Sequence, residues 1–175
     1  FDRQITINTP DLNGRVAILK VHARGKTINP SVDLEEVAHR IPGFSGADIE
    51  NLLNEAALLV ARDNRDEITV QDIDEAIDRV MMGPAKRSKT MTEKDKKIVA
   101  YHEAGHAVIG LKLEDAGIVQ KVTIIPRGYA LGITWTKPED NRVHVSKAKL
   151  LDQITMTLGG RVAEEIVYGT DKIST

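Results

Sequence analysis

The chain has 175 residues, of which 41% are hydrophobic and 29% charged, a composition typical of a globular protein and too apolar for a disordered one. Its 24 Lys and Arg residues against 26 Asp and Glu residues give a net charge of -2, which argues against a nucleic-acid-binding surface. It contains no Cys, so thiolate ligands and disulfides are excluded, and any zinc site must use His, Asp or Glu.

The first half of the chain predicts a short strand followed by a helical bundle. Polar and apolar residues alternate over residues 4–7, which is typical of a strand. Apolar residues at helical spacing then predict four amphipathic helices, the third of which has a capping-box variant formed by Ser45 and Asp48. These helices are expected to begin near Leu12, Asp33, Ser45 and Thr69.

A change of composition divides the chain. Residues 83–90 contain Gly, Pro and a basic run with almost no residues of a buried type, so we place a domain boundary there. We expect domains at 1–83 and 92–175, joined by a linker at 84–91. No stretch reaches the roughly 20 apolar residues that cross a bilayer, and no secretory signal is evident. The chain as given is therefore expected to be soluble, and its start at Phe1 suggests part of a longer protein.

The second half predicts a helix over 92–113, strands over 119–125 and 131–136, and a long helix over 146–168. The expected fold class is thus mostly α with small β elements. Gly159 and Gly160 interrupt the last helical pattern and predict either a kink or a close approach by another element. Six apolar residues of that helix are expected to be available for burial: Leu150, Leu151, Ile154, Leu158, Val162 and Ile166.

The residues that indicate chemistry are His102-Glu103-Ala104-Gly105-His106, an HExxH motif within the predicted helix 92–113. Two His residues four apart project from one face of a helix, so both imidazoles can reach one zinc ion. Glu103 points about 100° away from His102 and can act as a general base without being a ligand. The motif therefore predicts metal-assisted amide hydrolysis, with a coincidental His pair on a helix as the alternative.

The residues alone leave the third zinc ligand open. Glu164 and Glu165, beside the Gly pair, are candidates, and so is Asp171, although exposed acidic residues at a helix end would give the same pattern. His144 lies in a polar segment and is interpreted as a surface residue.

Longer strings carry a family resemblance. VAYHEAGHAVIG, KVTIIPRG, LGITW and LGGRVAEEIVYG resemble the start of the protease domain of the FtsH family of membrane-anchored, ATP-dependent AAA zinc metalloproteases. Upstream, FDRQI, PDLNGRVAILKVHAR, GFSGADIENLLNEAAL and VMMGPAKRS resemble the end of the AAA module and its helical lid. The resemblance implies a helical lid bundle at 1–83 followed by part of a mainly helical zinc metalloprotease domain.

The resemblance also implies roles for particular residues. His102 and His106 match the two zinc ligands and Glu103 the catalytic base, whereas the third ligand would be an Asp beyond Thr175. Glu164 and Glu165 would then be supporting rather than ligating groups. In the lid, His22, Gly46 and Ala47 match positions that approach the adenine and ribose of ATP. The KVTIIPRG segment would provide a strand near the cleft where an extended substrate could pair.

The implied parent protein is a homohexamer that uses ATP with Mg²⁺ to degrade unfolded or membrane proteins. It would lie at the cytoplasmic face of a bacterial inner membrane, or at an organellar membrane, with its anchor outside this chain. The chain lacks the GxxxxGK[ST] phosphate loop, so this segment is not expected to hydrolyse ATP. It is also expected to be incomplete as a peptidase.

Two other functions fit parts of the pattern. One is a catalytically inactive lid and pseudoprotease module that works as an adaptor. The other is an ATP-independent zincin that uses Glu164 or Glu165 as its third ligand.

Overall fold

The computed structural model describes residues 2, 3, 5, 7–86, 91–128, 130–137 and 145–173. Within these residues it contains six α-helices, a two-stranded antiparallel sheet and a short 3₁₀ turn. The predicted fold class, mostly α with small β elements, is confirmed. The chain divides into two compact units, Phe1–Gly83 and Pro84–Thr175. Among the described residues, every helix is too short or too polar to span a bilayer.

The first unit is the predicted four-helix bundle. Its helices are α1 (Leu12–His22), α2 (Leu34–Arg40), α3 (Gly46–Arg62) and α4 (Val70–Met82). Polar side chains bond to the free amides of the first turn, as local capping chemistry requires. Asp33 caps α2, and Ser45 and Asp48 form the predicted capping box of α3.

The core of this unit is aliphatic. The central helix α3 packs against both α1 and α4, and α1 packs against α2. Six of its Leu and Ile side chains are completely buried, each contributing about 1.5–3 kcal/mol by leaving water. They are Leu19, Ile41, Ile49, Leu52, Leu53 and Ile73.

The predicted strand at residues 4–7 is not found where the chain is described. Ile5 and Ile7 belong to no strand and are 87% and 92% exposed, while residues 4 and 6 lie outside the described residues. A strand needs a neighbour to satisfy its amides, and the sheet of the described residues consists of two strands from the second unit.

A buried carboxylate joins α4 to the loop before it. Asp72 is 6% exposed and accepts hydrogen bonds from Arg65 Nη1 at 2.9 Å, Arg65 Nη2 at 2.5 Å and the Thr69 amide at 2.8 Å. The bonds from Arg65, helped by those from Thr69, lower the pKa of Asp72 to about 2 from its ordinary 3.8. A lowered carboxyl pKa stabilises the fold above the unfolded pKa, and this stability disappears as pH falls through the folded pKa.

Asp72→Asn should therefore destabilise the first unit by about 1–2 kcal/mol at pH 7, after allowing for the partial exposure of Arg65. The deficit should shrink as pH falls from about 4 to about 2, where Asp72 of the unmodified protein becomes protonated. Thermal unfolding of the variant and of the unmodified protein, at pH 7 and at about pH 2, measures this difference in stability. Asp48→Asn is the control, since Asp48 holds the same capping-box position in α3 with Ser45 as its partner. Equal losses in the two variants would mean that the pairing with Arg65 contributes nothing.

The second unit contains α5 (Glu93–Lys112), β1 (Ile118–Thr123), β2 (Ile133–Lys137), α6 (Lys147–Tyr168) and a 3₁₀ turn at Thr170–Lys172. The predicted helices and strands of this half are confirmed. Strand β1 ends at Thr123, two residues before the predicted end. The strands pair antiparallel, with Val122 opposite Thr134, and the register shifts between Val119 and Lys121. Helix α5 packs against α6 and both strands.

The apolar residues of α6 that are expected to be available for burial are exposed in this structure. Leu150, Leu151, Ile154, Leu158 and Val162 are 48–57% exposed, and Ile166 is 78% exposed. The helix instead buries Gly159, Gly160 and Glu164. A glycine face allows a closer backbone approach to α5 than a leucine face would, so contact between the helices selects the small residues.

Candidate metal centre

Two imidazoles meet on one face of α5. His102 and His106 lie one helical turn apart, and their Nε2 atoms are 3.0 Å from each other. The ring centroids are 4.7 Å apart with the planes at 82°, so the rings meet edge to face. The HExxH spacing thus produces the convergence expected from helical geometry.

Residues of helix α6 contact the Nδ1 atom of each imidazole ring. The Nδ1 atom of His102 is 2.5 Å from Oε1 of Glu164, whose side chain is 1% exposed. The Nδ1 atom of His106 lies 2.8 Å from the carbonyl oxygen of Met156 and 3.3 Å from the amide of Gly160. A carbonyl can only accept, so the shorter of these two contacts requires a hydrogen on Nδ1 of His106. The carboxylate of Glu164 likewise accepts a hydrogen bond from Nδ1 of His102.

In this tautomer each Nε2 carries a lone pair and no hydrogen. Two lone pairs at 3.0 Å repel unless a cation, either a proton or a metal ion, lies between them. Two tetrahedral ligands at 2.0–2.1 Å from a zinc ion stand about 3.3–3.4 Å apart. The observed separation is therefore within about 0.4 Å of what zinc needs, and the carboxylate and carbonyl on the outer nitrogens are the partners that ligating histidines usually have.

The Gly pair allows this arrangement. A Cβ atom on Gly160 would lie 2.6 Å from Nε2 of His106 and 2.7 Å from Nε2 of His102. One on Gly105 would lie 2.3 Å from the carbonyl oxygen of Gly159. Helix α6 is unbroken from Lys147 to Tyr168. Of the two predicted meanings of the Gly pair, the close approach is confirmed.

Glu103 is buried beside the His pair, with 6% of its surface exposed. Its carboxylate contacts β2, where the hydroxyl of Thr134 lies 2.7 Å from Oε2. A Cβ on Gly132 would lie 2.7 Å from Oε1. Sequence reasoning missed Thr134, Gly132 and the carbonyl of Met156. The two-residue spacing of Gly132 and Thr134 within the predicted strand 131–136 is a signal for these two residues, whereas a backbone carbonyl leaves no signal in the sequence.

The third ligand is not found in the described part of the chain, which holds no group of three His, Asp or Glu residues that could bind a metal ion. Glu164 contacts Nδ1 of His102, not the Nε2 atoms that converge. Glu165 and Asp171 are exposed, and His144 lies outside the described residues. The alternative in which Glu164 or Glu165 completes the set has no support in this geometry.

A cavity of about 530 Å³ opens next to His106. It is bounded by Thr134 and Thr136 of β2 and by Gln153 and Met156 of α6. This cavity places a polar cleft beside the converging imidazoles, on the side where β2 also holds Glu103.

The three lid residues selected from the sequence lie in the first unit. His22 ends α1, and Gly46 and Ala47 open α3. The two helices pack together, and an added Cβ on Gly46 would lie 3.9 Å from Cδ1 of Ile18, one turn before His22.

Comparisons with known proteins agree with this two-part architecture. The model of peptidase family M41 matches residues 89–175, and the model of the AAA+ lid domain matches residues 31–75. Proteins described as ATP-dependent zinc metalloprotease FtsH are similar over nearly the whole chain. The protein from Acholeplasma laidlawii is 61% identical over 168 residues, covering 96% of this chain and 26% of the relative.

Two further relatives carry the same description. The one from Bacillus subtilis is 57% identical over 169 residues, covering 97% of this chain and 26% of the relative. The one from a Synechococcus strain is 55% identical over 176 residues, covering 100% of this chain and 28% of the relative. The chain thus spans little more than a quarter of the length of these curated relatives.

The fold and the two family matches together define the class of this protein: a AAA+ lid followed by a segment of an M41 peptidase. More narrowly, the chain belongs to the FtsH family, which confirms the resemblance carried by its motifs.

Proposed function

We propose that this chain is part of an ATP-dependent zinc endopeptidase, in which Nε2 of His102 and Nε2 of His106 bind the metal and Glu103 is the general base. The observation that carries the proposal is the pair of Nε2 atoms 3.0 Å apart, each on a ring whose Nδ1 is engaged by α6. This arrangement needs a cation between the two Nε2 atoms, next to the buried carboxylate of Glu103 and the cavity beside His106.

The bound zinc would supply Lewis acidity, which polarises a peptide carbonyl and makes a water molecule easier to deprotonate. Glu103 accepts a proton from the attacking water on a carboxylate oxygen as the new C–O bond forms. It then gives that proton to the amine nitrogen as the peptide C–N bond breaks. Glu164 holds the His102 ring so that its Nε2 faces the metal position.

The domain assignment belongs to the same proposal. Residues 1–83 form the end of a AAA module and its lid, 84–91 are a linker, and 92–175 are the first part of the protease domain. His22, Gly46 and Ala47 approach the adenine and ribose of ATP, while the phosphates and Mg²⁺ are bound elsewhere in the longer protein. The match of the lid family and the packing of α1 on α3 support this assignment.

We infer the activity of the whole protein from the relatives, whose names describe ATP-dependent zinc metalloproteases. We assign it unfolded, damaged or membrane proteins as substrates and a homohexameric assembly. We place it at the cytoplasmic face of a bacterial inner membrane or at an organellar membrane, with the anchor outside this chain.

Removing the metal tests the proposed activity. Dialysis of the full-length protein against a zinc chelator should abolish hydrolysis of an unstructured fluorogenic peptide, and about one equivalent of zinc per chain should restore it. Magnesium at millimolar concentration is the control, because its preference for oxygen ligands makes it a poor substitute at a two-imidazole site. Peptidase activity that survives complete zinc removal would contradict the proposal.

A further inference from the structure

Glu103 is supported separately from the histidines beside it. The two imidazoles are held by α6, through Glu164 and the Met156 carbonyl. The carboxylate of Glu103 is instead contacted by β2, through Thr134. The proposed ligands and the proposed base therefore rest on different elements, although all three lie within five consecutive residues of α5.

The contact with Thr134 has the geometry of a directed hydrogen bond. Its Oγ1 atom lies 2.7 Å from Oε2 of Glu103 and 3.0 Å from the carbonyl oxygen of the same residue. A hydroxyl has one hydrogen to give, and a carboxylate accepts the stronger bond because it is charged. The distance of 2.7 Å is typical of an O–H donor to oxygen. The hydroxyl therefore donates to Oε2.

Gly132, the residue before β2, limits the carboxylate of Glu103 from a second direction. A Cβ on Gly132 would lie 2.7 Å from Oε1 and 2.8 Å from Cγ of Glu103, so the side chain packs directly against the glycine. Gly132 immediately precedes β2 and Thr134 lies within it, and both contact the same carboxylate. Only 6% of the surface of Glu103 is exposed, so these contacts lie away from solvent.

We propose that Thr134 is a positioning residue for Glu103, one that fixes the direction in which the carboxylate presents its lone pairs to the attacking water. The inference rests on the proposed function of Glu103 as the base. Thr134 acts through Glu103 and has no proton to gain or lose in the reaction. A misplacement of about 1 Å at a reacting group can cost about a hundredfold in rate, so a hydrogen bond that fixes one rotamer has a measurable effect.

The test uses Thr134→Val and Thr134→Ser in the full-length protein, with zinc and saturating ATP. Val has the shape of Thr without its donor, and Ser keeps the donor. A short unstructured fluorogenic peptide is the substrate, so that hydrolysis does not depend on unfolding. We expect Thr134→Val to lower kcat by about 10- to 100-fold, as for loss of a buried bond to a charged group. We expect KM, zinc content and Tm to change little, and Thr134→Ser to recover most of kcat.

Two control variants make the result specific. Thr155→Val removes a hydroxyl that donates to the Leu151 carbonyl within α6, and it should leave kcat unchanged. Glu103→Gln separates the two proposals. If it retains activity, the assignment of the base is wrong. If it is inactive while Thr134→Val retains full kcat, the assignment of Thr134 alone is overturned.

A purely structural role for Thr134 would also overturn the inference. In that case Thr134→Val would lose zinc and thermal stability in proportion to its loss of activity. Alternatively, Thr134→Ser would be as impaired as the Val variant, which would mean that the methyl group matters and the hydroxyl does not.

Discussion

Glu103→Gln in the full-length protein should lower peptidase kcat by about 10²–10⁴-fold, the range that a positioned general base contributes. Gln has nearly the same size and can still accept the hydrogen bond from Thr134, but it cannot take a proton from water. Zinc content and Tm should stay close to those of the unmodified protein, because the His pair and its partners on α6 are untouched. Hydrolysis of a fluorogenic peptide measures kcat, and zinc analysis and thermal unfolding of the same samples measure zinc content and Tm.

Glu165→Gln is the matched control for that substitution. It removes the same charge from an exposed residue of α6, next to the buried Glu164, and should leave kcat and zinc content unchanged. A loss of zinc in Glu165→Gln would support the alternative function, a zincin in which Glu165 is the third ligand. Full activity in Glu103→Gln would contradict the assignment of Glu103 as the base.

Gly160→Ala should weaken zinc binding by about 100-fold, the upper end of what changes around metal ligands usually cost. The new methyl group would stand 2.6 Å from Nε2 of His106 and 2.7 Å from Nε2 of His102, against both atoms that are proposed to bind the metal. Because Ala favours a helix by about 1 kcal/mol over Gly, α6 itself has no intrinsic reason to unfold. Chelator competition measures the zinc affinity of the variant. Peptidase activity should fall as the zinc affinity falls.

Gly159→Ala separates exclusion of the metal from poorer helix packing. Its Cβ would lie 2.8 Å from the carbonyl oxygen of Gly105 and 3.0 Å from Cγ1 of Ile109, against the partner helix rather than an imidazole. It should lower Tm, with a smaller loss of zinc affinity than Gly160→Ala. If the two variants lose zinc equally, the steric argument for Gly160 is wrong.

The parts of the fold that are predictable from sequence depend on local chemistry. Helices α2 and α3 begin where Asp33 and Ser45 can cap them, because capping residues act within one turn. The convergence of His102 and His106 is likewise a property of one helix, so the spacing of four residues predicts it.

Partners that come from elsewhere in the chain are harder to predict. Glu164 is 62 residues from His102, and the Met156 carbonyl that orients His106 carries no signature in the side-chain pattern. The exposure of Leu158 and Ile166 was not predicted, because apolar residues at helical spacing usually mark the buried face of a helix. The choice of face depends on how closely α5 can approach, which is a property of two helices and is not visible in either one alone.

The zinc content of the full-length protein, purified without added metal and compared with that of His106→Ala, tests the central claim most directly. The arrangement of the two Nε2 atoms predicts about one zinc per chain in the unmodified protein and in Glu103→Gln, and a loss of zinc in His106→Ala. Zinc bound at the same stoichiometry and affinity in His106→Ala would contradict the assignment of this His pair as the metal centre.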